Sequence, residues 1–163
     1  MPHIQMPVRD LLGNIPASVY GLWSDMTDLL QFLDGERDIK RIHQIRAVCA
    51  RMYFALEGKD ICEPSPSRDP TLETLTRRSQ SNLKEFVQDV WALLEMNMDG
   101  LQGHKETINV FLGGIRRLFC LFRELGFAEG LRESEEKFEQ YYIRAQEDLN
   151  METLEEEFWS RQQ

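Results

Sequence analysis

A chain of 163 residues is long enough to bury a core in one domain without disulfide or metal staples. Apolar residues make up 42% and charged residues 29%, close to the globular average, which excludes wholesale disorder. A formal charge of −9 disfavours nucleic acid and anionic membranes as partners, except where a local basic patch reverses the field.

Residues 1–14 read as an N-terminal arm whose opening, MPHIQMPVRD, lacks the apolar core of a secretory signal. Helix one starts near Pro16, a residue suited to a first helical turn, with Asn14 as its cap. Val19, Leu22, Trp23, Met26, Leu29, Leu30 and Leu33 then recur at three- and four-residue steps, and Gly35 ends the stripe. Helix two covers 36–57 and places Ile39, Ile42, Ile45, Cys49, Met52, Tyr53 and Leu56 on one face. At 100° per residue, Arg37, Lys40, Arg41 and Arg51 gather on the opposite side. Gly58 closes it.

Residues 58–69 form a Pro-rich loop, since the residue before each proline is pushed away from helical angles. Asp69 and Pro70 are expected to open helix three as cap and first residue. Its stripe is Leu72, Leu75, Leu83, Phe86, Val87, Val90, Leu93 and Leu94, running to about Asn97. Ser79 interrupts that stripe with a small side chain that lets another helix approach. Gly100 and Gly103 bracket a turn. Helix four, 105–125, carries Ile108, Phe111, Leu112, Ile115, Leu118, Phe119, Phe122 and Leu125 on its main face. Val110, Cys120 and Leu121 lie on its back, and a helix apolar on most sides is buried on most sides, so this is the expected central element. Its Gly113–Gly114 pair marks a close helix crossing or a kink. Helix five presents Leu131, Phe138, Tyr141, Tyr142, Ala145 and Leu149. After Asn150 the phase shifts, and residues 150–163 form a short acidic C-terminal helix. The expectation is therefore an all-α, single-domain helical bundle of four to five main amphipathic helices plus that short terminal one.

The residue types that carry chemistry are scattered. His3, His43 and His104 are far apart, none of the last two follows a Glu by three residues, and the cysteines lack zinc spacing, so no metal or other cofactor is expected. The pairs Glu133/Glu136 and Glu135/Glu139 sit at helical spacing and read as a solvated face rather than a magnesium site. The comparable pair Glu85 and Asp89 falls on the polar side of helix three. No G-x-S-x-G, no local Cys–His pair and no glycine-rich phosphate loop is present, so an enzyme is not expected. Three cysteines, Cys49, Cys62 and Cys120, leave one unpaired in any pairing scheme, and the cytoplasm is the expected compartment. No run approaches the roughly 18–20 apolar residues of a membrane span.

Two surfaces stand out. Residues 37–51 hold five bases against one acid, while residues 129–163 hold eleven acids against four bases. The basic face of helix two (Arg37, Lys40, Arg41, Arg51) fits an acidic partner, and the acidic tail is an internal candidate to cover it. Met151, Leu154, Phe158 and Trp159 have the form of a groove-binding helix, or of a cap on one end of the bundle. The sequence thus points to a non-enzymatic protein–protein interaction module: an adaptor, regulator or assembly subunit. Its partner is another protein or a second copy of the chain. The alternatives are a secreted four-helix signalling factor and a nucleic-acid- or phosphate-binding protein that uses helix two.

Overall fold

The computed structural model describes residues 12–62, 70–96 and 98–149. Among them there is no strand, and five long helices carry the chain: α1 (Ile15–Leu29), α2 (Glu36–Glu57), α3 (Leu72–Met96), α4 (Lys105–Leu125) and α5 (Arg132–Asp148). The protein is an all-α bundle. The expected terminal helix over 150–163, and most of the N-terminal arm, lie outside the described residues.

Helices α1, α2, α4 and α3 close a four-membered ring in that spatial order, and α5 lies against α3 and α4. Alternating direction follows from the connections. Arg41 meets Glu124 at one end of the α2–α4 seam, and Met52 meets Gly114 toward the other, so those two helices are antiparallel. Because α3, α4 and α5 alternate, α3 and α5 run parallel. Gln80 Nε2 donates to the carbonyls of Phe127 (2.9 Å) and Glu129 (3.3 Å), while Arg144 pairs with Glu95 farther along both helices.

Helix α4 is the hub that its all-round apolar pattern predicts. Twelve of its residues are buried, including Val110 and Leu121 from the back of the main face. Phe111 meets Phe86 of α3 edge to face at 6.2 Å, and Phe119 meets Phe138 of α5 at 5.8 Å. Each such pair adds about 0.5–1.5 kcal/mol to the burial of its rings. The α4 C-terminus is a Schellman turn. Gly126 sits at φ 84°, its N–H donates to Arg123 O at 3.1 Å, and Phe127 N–H reaches Phe122 O at 2.8 Å. The accompanying apolar contact is Phe122 on Phe127, 6.4 Å between ring centroids. Gly114 marks the close crossing. A Cβ at Gly114 would stand 2.5 Å from Met52 Sδ, so α2 and α4 approach over a missing side chain.

Element ends depart from the sequence reading in three places. α1 stops at Leu29, because the chain tightens there into successive i→i−3 bonds: Leu30 to Thr27, Gln31 to Asp28 and Phe32 to Leu29. Leu30 and Leu33 still pack on the core from outside the helix. α3 begins at Leu72, and Thr71 is its cap, its Oγ1 accepting Thr74 N–H at 3.1 Å; Pro70 precedes the helix, and Asp69 lies outside the described residues. The turn between Gly100 and Gly103 is wound into a helical turn, Met98–Leu101, and a 3₁₀ turn, Gln102–His104, pinned by the fully buried Leu101. Asn14 does precede α1, yet its side chain makes no capping bond. Ser79 is fully buried and satisfied within α3, donating to Leu75 O at 2.8 Å.

Candidate functional site

The four cations expected to form one face of α2 have different fates. Arg37 and Lys40 are exposed, with no ion-pair partner among the described residues. Arg41 is 21% exposed, its Nε 2.8 Å from Glu124 Oε2 of α4 and its Nη1 donating to Gln44. Arg51 is partly buried and engaged. Arg46, on the same helix, lies over the ring of Trp23 at 5.2 Å. Among the described residues two cations of that set, Arg37 and Lys40, remain for a partner, which is thin support for a phosphate or nucleic-acid contact on a chain at −9. Met151, Leu154, Phe158 and Trp159 lie outside the described residues.

Among the described residues, the acidic segment does not lie along α2. Its described half, α5, packs on α3 and α4, pairing with arginines of α4 and with a glutamate of α3. Glu135 meets Arg123, Glu139 Oε1 is 3.0 Å from Arg116 Nε, and Arg144 bridges Glu95 and Asp148. Glu133 and Glu136 take the helical partners Lys137 and Arg132, both at 3.2 Å. Every carboxylate of the two pairs singled out on α5 is therefore neutralised. Among the described residues no group of three His, Cys, Asp or Glu side chains could hold a metal.

What the sequence did not single out is a cleft of about 660 Å³ between α3 and α5. The two helices are parallel and both rest on α4, so their outward flanks diverge. Small residues keep the space open: Ala92 on α3, Gly130 and Ser134 on the opposite side. Trp91 and Tyr141 supply its aromatic surface. Trp91 is 47% exposed, a large ring that the fold of a single chain leaves in water. Lys84, at one end, and Asp89 contribute from α3, and the ion-paired Glu133 and Lys137 from α5.

Asp89 is the electrostatic oddity of this cleft. It is partly buried, and no cation pairs with it among the described residues. Burial, aided by the neighbouring Glu85, pushes its carboxyl up to about 6 from the usual 3.8. The sequence placed Asp89 on the polar side of its helix, and that is where it sits, but the cleft shields it. Trp91 had a legible signal of its own: a tryptophan beside the apolar stripe of an amphipathic helix instead of on it.

A second groove, about 500 Å³, lies between α1 and α3 and is lined by Tyr20, Ser24, Asp25, Arg78 and Ser81. Its charges already satisfy one another. Buried Asp25 accepts from Arg78 at 2.6 Å, and although burial raises its carboxyl pKa, the arginine holds it back. The three cysteines are free: Cys49 buried, with burial driving its thiol pKa up, Cys120 partly exposed and Cys62 exposed. Among the described residues no helix is long and apolar enough to cross a membrane. Compared with family models, curated proteins and solved structures, the chain matches none.

Proposed function

We propose that this chain is a non-enzymatic protein-binding module, an adaptor, regulator or assembly subunit of the cytoplasm, that docks its partner in the α3–α5 cleft. The observation that carries this reading is Trp91, 47% exposed on the wall of an open cleft that Tyr141 also lines. Tryptophan and tyrosine anchors dominate the energetics of protein interfaces, because they bury much area at little rotamer cost. Three unpaired thiols suit a reducing compartment.

The test is affinity capture from native extract with the full chain, its Trp91→Ala variant and its Arg37→Glu/Lys40→Glu variant, each first checked for an unchanged melting temperature. A partner retained by the wild type and by the α2 variant, but lost from Trp91→Ala, supports docking at the cleft. A partner lost only from the α2 variant moves the interface to the basic edge, and one held equally by all three removes both surfaces.

A further inference from the structure

We infer that the α3–α5 cleft receives a basic side chain, an arginine or lysine of the partner, with its aliphatic stem on Trp91 and its cation at Asp89. This rests on reading the cleft as a protein-docking site and adds the chemistry of what enters it.

Three observations converge on a cation. The first is charge. The lining itself holds two acids and two bases, Asp89 and Glu133 against Lys84 and Lys137. The segments around it, residues 84–95 and 129–148, hold ten acids against four bases, and of those acids Glu135 and Glu139 are paired with Arg123 and Arg116 of α4, so the surroundings remain negative. A field of that sign draws a basic segment and repels an acidic one.

The second is the state of Asp89. Every other carboxylate named in the cleft has a cation: Glu133 is 3.2 Å from Lys137. Asp89 has none among the described residues, is partly buried, and faces the like charge of Glu85 on its own helix. A shielded carboxylate beside another acid is disfavoured in its ionised form, and an incoming guanidinium or ammonium relieves that penalty. Lys84, which has no ion pair among the described residues, lies five residues earlier on α3, about 7.5 Å down the helix axis at 1.5 Å per residue. It leaves the Asp89 end unneutralised.

The third is the wall itself. Arginine and lysine lay their methylene stems on apolar surface while the head seeks charge, and their cations are attracted to aromatic faces. Trp91 and Tyr141 offer such faces in the cleft that Asp89 also lines. A purely apolar anchor would leave Asp89 buried deeper and still unpaired.

The proposal is tested by titrating the full chain with a dye-labelled, end-capped peptide of alternating alanine and arginine. The comparison is the same peptide with citrulline, the neutral isostere, at each arginine. The expected result is at least tenfold tighter binding of the arginine peptide, read by anisotropy. Asp89→Asn should bring it down to the citrulline level, and Trp91→Ala should weaken both peptides. Trp91→Phe, which keeps a ring, covers the case in which the alanine variant does not fold, and should retain most of the binding. Equal affinity for the two peptides, no binding of either, or an Asp89→Asn variant that binds arginine as the wild type does, overturns the inference. If partner capture still depends on Trp91 under any of those outcomes, docking at the cleft stands and only its preference for a cation falls.

Discussion

Gly114→Ala is the substitution whose sign depends most directly on the packing of this bundle. Helix propensity alone favours alanine by about 1 kcal/mol in the middle of α4. The structure opposes it, because the new Cβ would lie 2.5 Å from Met52 Sδ and 2.6 Å from Met52 Cγ. Met52 is fully buried, so its thioether must retreat into occupied space. Overpacking of that kind costs about 1–3 kcal/mol, which leaves Gly114→Ala net destabilising by about 1 kcal/mol. Removing the obstacle should invert the sign. Met52→Ala by itself costs about 2–5 kcal/mol through the cavity it leaves. In that background the alanine at 114 regains its propensity, about 1 kcal/mol, and fills part of the void, about 0.8 kcal/mol per buried methyl-sized group. The coupling between the two sites is then about 2–3 kcal/mol, read from urea unfolding of wild type, both single variants and the double variant by far-UV circular dichroism. If Gly114→Ala stabilises the wild type by about 1 kcal/mol, and does the same in the Met52→Ala background, α2 and α4 do not cross at this glycine.

Two further outcomes follow from buried carboxylates. In the folded chain Asp89 titrates near 6, above its ordinary 3.8, so between those pH values the native state holds the extra proton and stability falls as pH rises. With solvent screening allowed for, the loss is about 1 kcal/mol; Asp89→Asn should stabilise the fold by that amount at pH 7 and add little at pH 4, the difference between variant and wild type cancelling the titration of the groups that face it, Lys84, Glu85, Glu133 and Lys137. Equal stabilisation at both pH values would show that Asp89 is not shielded. Arg78→Ala should destabilise the fold by about 2 kcal/mol at pH 7, between the value of an exposed pair and that of a buried one, since it strips Asp25 of its 2.6 Å partner. With Arg78 gone the Asp25 carboxyl rises further, so the deficit should shrink as pH falls toward 4, and a deficit that does not change with pH would place the loss in packing instead of charge.

The helices were legible in the sequence because each is long, periodic and punctuated. α2 and α4 have the predicted ends, each followed by a glycine with left-handed φ: Gly58 and Gly126. The ends that moved were set by bonds a stripe does not encode, such as Thr71 capping α3 with its hydroxyl. The site was harder to see. A helical wheel says that Arg41 is opposite the apolar face of α2, but not that Glu124 of α4 reaches around to meet it. It says that Glu135 and Glu139 lie off the stripe of α5, but not that Arg123 and Arg116 stand there to receive them. Charge balance over a segment is visible in one dimension, whereas pairing is a property of which helices become neighbours. The cleft is hidden for the same reason: Trp91 and Tyr141 are fifty positions apart, and only the parallel seating of α3 and α5 on α4 brings them to one space.

That seating also bears on what the cleft can do. Its two walls are tied at both ends, by Gln80 to the Phe127 and Glu129 carbonyls at one end and by Arg144 to Glu95 at the other. A further tie at the far end is Gln102, whose Nε2 donates to Asp148 O at 3.2 Å. Beneath them, the Phe86–Phe111 and Phe119–Phe138 contacts fix each wall to α4 separately. A cleft whose walls are held before a partner arrives loses little conformational entropy when one binds, so contacts made by a few side chains translate more fully into affinity. The same ties set the limits on shape. A bulky folded domain would have to pry α5 from α4, at the cost of buried aromatic pairs and the Arg116–Glu139 bridge, whereas one or two projecting side chains enter without moving either helix. For the docking proposed above, an extended or helical segment with a single long anchor is the partner that fits, and α4 packing, not the cleft lining alone, would then determine how tightly that anchor is held.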